Sequence, residues 1–141
     1  PQLIQKYRAK ISGPLLDRID IHLTVPAVAY EKLAEARQGE SSKNIRERVV
    51  RARQVQEQRF RNSSSRNNSG MNRKELETHA ELADSSRKIL QLAMTKMGLS
   101  ARAYDRILKV ARTIADLAGE QKIDTPHVAE AIQYRNLDRP V

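Results

Sequence analysis

Apolar positions along the chain fall into two rhythms. Over residues 19–25, Ile19, Ile21, Leu23 and Val25 alternate with Asp20, His22 and Thr24, the period of a half-buried strand. Pro26 closes it, and upstream the Ser12-Gly13-Pro14 turn starts a short helix with Pro14 as its first residue. One strand has no ladder partner, so residues 1–26 are predicted to belong to a larger sheet whose other strands lie upstream of Pro1.

From residue 27 the rhythm becomes helical. A helix is predicted over 28–37, stopping at Gly39, and a second begins after Ser41-Ser42 and runs to about Arg61. That second helix carries only a narrow stripe, Ile45, Val49, Ala52 and Val55, on a charged surface. Residues 62–70 are all Asn, Ser or Gly except Arg66, a composition that buries too little apolar area to offset chain entropy, and a mobile loop is expected there.

Beyond it the punctuation is clear. Asn72 with Glu75 reads as a capping box. Asp84 and Ser85 start a helix with Ile89, Leu90, Ala93 and Met97 on one face, and Gly98 stops it. Ser100 caps a longer helix whose Tyr104, Ile107, Leu108, Ala111, Ile114, Ala115 and Ala118 recur at helical spacing, ending at Gly119. Thr125 and Pro126 start a fourth helix with Val128, Ala131 and Ile132. These four helices predict a small bundle over 71–138 that folds on its own.

Composition sharpens this picture. With no Trp, one Phe and 39% hydrophobic residues, the core must be Leu, Ile, Val and Ala, which favours helices. The absence of cysteine excludes a disulfide framework, a zinc ribbon and a thiol nucleophile and fits a reducing compartment. No apolar run approaches the roughly 20 residues that cross a bilayer, and no leader pattern opens the chain, so a soluble, cytoplasmic protein is expected. A net charge of +9 makes a polyanion the first partner class to consider. The positive charge is densest between Arg37 and Arg61, where eight basic residues face three acids. Arg46, Arg48, Arg51, Arg53 and Arg59 are the candidate nucleic-acid contacts, mainly to phosphates because few aromatic residues are available for stacking.

Catalytic patterns are sparse. No glycine is followed by Lys, so the phosphate-loop motif is absent and this chain alone is not expected to hydrolyse ATP. His22, His79 and His127 lie on separate elements without metal-ligand spacing and are assigned structural or surface roles; no metal site is expected. Arg18 stands where the short helix hands over to the predicted strand, able to project a guanidinium or to pair with Asp17 or Asp20. Arg102 occupies the first turn of the helix capped by Ser100, where the dipole disfavours a cation. Both a solvated arginine and a bound phosphate fit that position.

Ile11-Ser-Gly-Pro-Leu-Leu-Asp-Arg-Ile-Asp-Ile-His22, together with Leu99-Ser-Ala-Arg-Ala-Tyr-Asp-Arg-Ile-Leu-Lys-Val-Ala-Arg-Thr-Ile-Ala-Asp-Leu117 and Ala131-Ile-Gln-Tyr-Arg135, resembles the magnesium chelatase-like AAA+ family, in its branch of bacterial competence proteins. The resemblance implies a mainly α fold: a helical lid bundle (71–141), preceded by a basic helical insert and loop (27–70), and one strand left from the α/β ATPase core (1–26). It implies a hexameric ring that binds ATP and Mg at subunit interfaces and acts on DNA in recombination of incoming strands, with none of these ligands expected on the fragment alone. Arg18 then matches the arginine finger and Arg102 the sensor-2 arginine. Two further readings stand beside it. One is a freestanding basic helical nucleic-acid-binding module; the other treats the Arg-rich helix as a solvated face or subunit contact.

Overall fold

The computed structural model describes residues 6, 10–27 and 39–135; the helix predicted over 28–37 lies outside them. The fold is mainly α. Among the described residues the helices are α1 (Gly13–Leu16), α2 (Ser42–Arg59), α3 (Arg73–His79), α4 (Asp84–Met97), α5 (Ala101–Ala118) and α6 (Thr125–Gln133).

The boundaries follow from capping chemistry. Ser41 Oγ accepts the Asn44 amide at 3.2 Å and opens α2. Asn72 and Glu75 form the capping box of α3, with Glu75 N–H to Asn72 Oδ1 at 3.0 Å and Asn72 N–H to Glu75 Oε2 at 2.8 Å. Gly98 (φ 61°) and Gly119 (φ 79°) end α4 and α5 in the left-handed region that glycine tolerates. Thr125 is the first residue of α6, Pro126 fits its first turn, and His127 Nδ1 accepts the Asp124 amide at 3.0 Å.

Helix α5 is the axis of the bundle. It packs against α6 on one side and against α2 and α3 on others, while α4 closes over α6. Leu90, Ile107, Leu108, Ala111, Ala115, Val128 and Ala131 form the centre of the core. A single parallel bridge between Leu82 and Ile123 ties the chain leading into α4 to the chain leading into α6. Phe60, just past the end of α2, enters the same core as Met71, Leu76 and Ala80, so the basic helix is packed onto the bundle rather than tethered beside it.

Two expectations are corrected. Residues 21–27 are irregular, and Ile19, Ile21, Leu23 and Val25 are exposed while His22 is buried, the inverse of the predicted strand face. The reason is the one that made the strand odd: among the described residues no strand offers it a ladder, and its one bundle backbone bond runs from His22 N–H to the Tyr134 carbonyl at 2.7 Å.

The segment 62–70 is likewise not a free loop. Ser65 and Asn68 are buried, and Asn68–Gly70 forms a 3₁₀ turn against α5. Ser65 Oγ bonds the Gly70 carbonyl (2.9 Å) and Glu75 Oε2 (2.8 Å), and Lys109 Nζ bonds the Ser69 carbonyl at 2.9 Å. Hydrogen bonds, in part buried, supply here what apolar burial could not.

Candidate functional site

Both arginines singled out for chemistry reach solvent. Arg18 follows α1 in a tight turn, its N–H donating to the Leu15 carbonyl at 3.0 Å and the Ile19 N–H to the Leu16 carbonyl at 3.0 Å. Arg102 is the second residue of α5, whose Ser100 cap takes the Ala103 amide at 3.2 Å and leaves the preceding amides outside the helical ladder. Among the described residues neither guanidinium has a hydrogen-bond or ion-pair partner, and both are exposed.

The elements that carry them meet. Gly13, Pro14, Leu16 and Asp17 on one side, and Gly98, Leu99 and Ser100 on the other, line a cleft of about 400 Å³. Asp17, the acid on its wall, has its carboxylate 3.9 Å from the buried Arg135 guanidinium. A long helix amino terminus with an uncompensated arginine in its first turn is suited to an anion.

The basic helix divides into two parts. Every residue from 42 to 51 is exposed, and Arg46, Arg51 and Arg53 stand in solvent. Arg48 makes a bidentate pair with Glu40 at 2.9 and 3.1 Å, but both partners are well exposed, so the pair contributes little to stability. Arg59 departs from the predicted surface set. It lies on the row with Ala52 and Gln56 that faces α5, and its guanidinium reaches Asp116 Oδ2 at 2.7 Å and Oδ1 at 2.6 Å.

That contact belongs to a buried charge network that local patterns missed. Asp116 also accepts Asn68 Nδ2 at 2.8 Å and Arg112 Nε at 3.1 Å. Arg112 continues to the carbonyls of Glu120 (2.6 Å) and Gln121 (2.8 Å), holding the turn after α5. Asn68 receives Arg59 Nη1 at 2.8 Å, gives Nδ2 to Thr113 Oγ1 at 3.0 Å, and takes its amide bond to Gln56 Oε1 at 3.2 Å. Burial by itself pushes the Asp116 carboxyl up, but the hydrogen bonds from Arg59 and Asn68 and the Arg112 charge outweigh it and hold the group below its ordinary value. Burial lowers the Arg112 pKa, with Asp116 opposing. The signal lies in the sequence: Leu108, Arg112 and Asp116 are spaced by four, a charged pair continuing an apolar row.

The histidines occupy three separate settings. His22 is buried at the bundle edge. His79 stands edge-on to Phe60 at 5.6 Å, with its pKa lowered by burial and by the Arg59 charge, and His127 braces α6. Among the described residues no group of His, Asp and Glu could hold a metal ion, and no helix is long and apolar enough to cross a membrane.

The sequence matches known families and proteins. The family description "Magnesium chelatase, subunit ChlI C-terminal" matches residues 39–135, and "Magnesium chelatase, subunit ChlI" matches residues 1–33. The chain is 44% identical over 140 residues to the competence protein ComM of Haemophilus influenzae, covering 99% of this chain and 27% of that protein. It is 35% identical, with the same coverage, to the YifB protein of Salmonella typhimurium. A Mycobacterium bovis protein, Mb2921c, is 34% identical over 131 residues, or 93% of this chain and 26% of its own length. The chain thus spans about a quarter of the length of these relatives.

Proposed function

Because the chain belongs to the magnesium chelatase ChlI family, by its carboxyl-terminal region and its similarity to ComM, we propose that it is the lid region of a cytoplasmic, ring-forming AAA+ ATPase. In this reading residues 71–141 are the lid, 27–70 the insert that packs on it, and 1–26 the end of the ATPase core. Arg18 acts as the arginine finger and Arg102 as the sensor-2 arginine, both facing ATP bound at a subunit interface.

One observation carries this reading. The end of α1 and the residues leading into α5 line a single cleft, and the exposed Arg18 and Arg102, unpaired among the described residues, lie one and two residues beyond its lining. A phosphate approaching that cleft would meet the dipole and amides of α5 and a guanidinium, while Arg18 would meet charge developing on the transferring phosphoryl group of ATP in an adjoining subunit. Magnesium bound with the nucleotide would offset part of the triphosphate charge; no acid of this chain is assigned to it.

DNA is the proposed macromolecular partner. Supporting it are Arg46, Arg51 and Arg53, exposed on α2, a helix whose buried residues, Ala52 and Gln56, lie in its second half. Phosphate contacts would dominate such an interface. The experiment is steady-state ATP turnover by the full-length parent, with and without DNA, for wild type, Arg18→Ala and Arg102→Ala. DNA-stimulated turnover lost in both variants supports the reading; turnover indifferent to both arginines returns the chain to a basic nucleic-acid-binding module.

A further inference from the structure

We propose that Arg106 and Arg135 of the bundle are positioning residues for Arg18, so that any movement of the bundle re-aims that guanidinium. The inference rests on the reading of Arg18 as the residue that meets ATP.

The contacts bracket Arg18 on both sides. Before it, the Arg135 guanidinium lies 3.5 Å from the Leu16 carbonyl and 3.9 Å from the Asp17 carboxylate. After it, Arg135 donates to the Ile19 carbonyl, Arg106 Nη1 donates to Asp20 Oδ1 at 2.5 Å, and the His22 N–H donates to the Tyr134 carbonyl at 2.7 Å. Arg18 itself has no such contact among the described residues and is exposed. The backbone on either side is therefore held by the bundle while the side chain between stays free to meet a ligand.

Two features make positioning the better account of the Arg106–Asp20 pair than stability. Arg106 and Asp20 are each about a third exposed, a setting where an ion pair contributes little to folding. Arg106 also follows Arg102 by one turn on α5, so the helix that presents Arg102 is the helix that holds Asp20. Past the turn bonds that end at Ile19, residues 20–27 have no helix or strand ladder of their own. The direction of residues 20–22 is set by Arg106 on α5 and by Tyr134 just past α6.

The test is steady-state ATP turnover of the full-length parent with Arg106→Gln, with Asp20→Asn, with the exchanged pair Arg106→Asp and Asp20→Arg, and with Arg18→Ala alone and combined with Arg106→Gln. Each single change at Arg106 or Asp20 is expected to lower kcat by about tenfold, since a misplacement of about 1 Å can cost more than that. The KM for ATP should stay within about twofold, because the interaction that is weakened forms only in the transition state. The exchanged pair should recover most of the activity, and Arg106→Gln should have no further effect in the Arg18→Ala background. If Arg18→Ala lowers turnover but kcat ignores Arg106 and Asp20, or Arg106→Gln costs activity even without Arg18, positioning is overturned and the reading of Arg18 stands. If Arg18→Ala leaves turnover unchanged, that reading fails and the positioning role with it.

Discussion

Replacing Asp116 by Ala removes the centre of the buried network. The carboxylate side chain is fully buried and takes four hydrogen bonds: two from Arg59, one from Asn68 and one from Arg112. Its loss strands the guanidinium groups of Arg112, whose side chain is 3% exposed, and of Arg59, whose side chain is 12% exposed, with their mutual repulsion uncompensated. Breaking a buried pair by deleting one partner costs about 3–5 kcal/mol. Arg112 keeps its two carbonyl acceptors, and Arg59 can turn toward solvent, so the lower end, about 3 kcal/mol, is expected. At about 4 °C per kcal/mol for a chain of 141 residues, the melting temperature should fall by about 12 °C. Circular dichroism at the helical band during heating reads it, with Glu77→Ala as the comparison, since the exposed Arg73–Glu77 pair contributes little to stability. A melting temperature within about 3 °C of wild type for Asp116→Ala would refute the assignment of structural weight to this network.

Three further outcomes are expected. Asp116 and Glu75 both have carboxyl groups held below their ordinary values, Glu75 by hydrogen bonds from Ser63, the Asn72 amide and Ser65. Groups depressed in the fold stabilise it above their unfolded pKa and lose that contribution as pH falls through the folded value, so the melting temperature should drop steeply below about pH 4 and less steeply in Asp116→Asn. Hydrogen exchange should find the Asn68 and Gly70 amides protected, since they bond Gln56 and Asn67, and the Arg66 amide fast; uniformly fast exchange over 62–70 would contradict the buried turn. Arg51→Glu with Arg53→Glu should weaken DNA binding by the full-length parent and flatten its salt dependence by about one unit of log–log slope for each phosphate no longer neutralised, and an unchanged slope would remove these residues from the interface.

The helices were readable because their ends are written in local chemistry. Ser41, Asn72 with Glu75, Ser100, Gly98 and Gly119 each act within one turn of themselves, so a window of a few residues contains the whole cause. The segment at 19–25 misled because alternation reports a strand only when a neighbour supplies the ladder, and among the described residues none does. The polar stretch at 62–70 misled for the opposite reason. Its composition lacks apolar area, but Asn68 is buried by partners 45 and 48 positions away on α5, a relation no local pattern contains. The same distance hid Arg59, which looks like any surface arginine until Asp116 is placed opposite it. Position singles out Arg18 and Arg102 in the sequence and the family resemblance gives them roles; that the residues beside them line one cleft is visible only in the fold.

The most direct measurement mixes two full-length proteins, each impaired in ATP turnover. One carries Arg18→Ala with its ATP site intact; the other keeps Arg18 but cannot bind ATP, and co-purification of differently tagged chains verifies that subunits exchange. If Arg18 serves the nucleotide of a neighbouring subunit, the mixture regains ATP turnover, because some interfaces then pair an intact site with an intact arginine. Exchanged rings no more active than the two proteins apart would contradict a role for Arg18 across the interface.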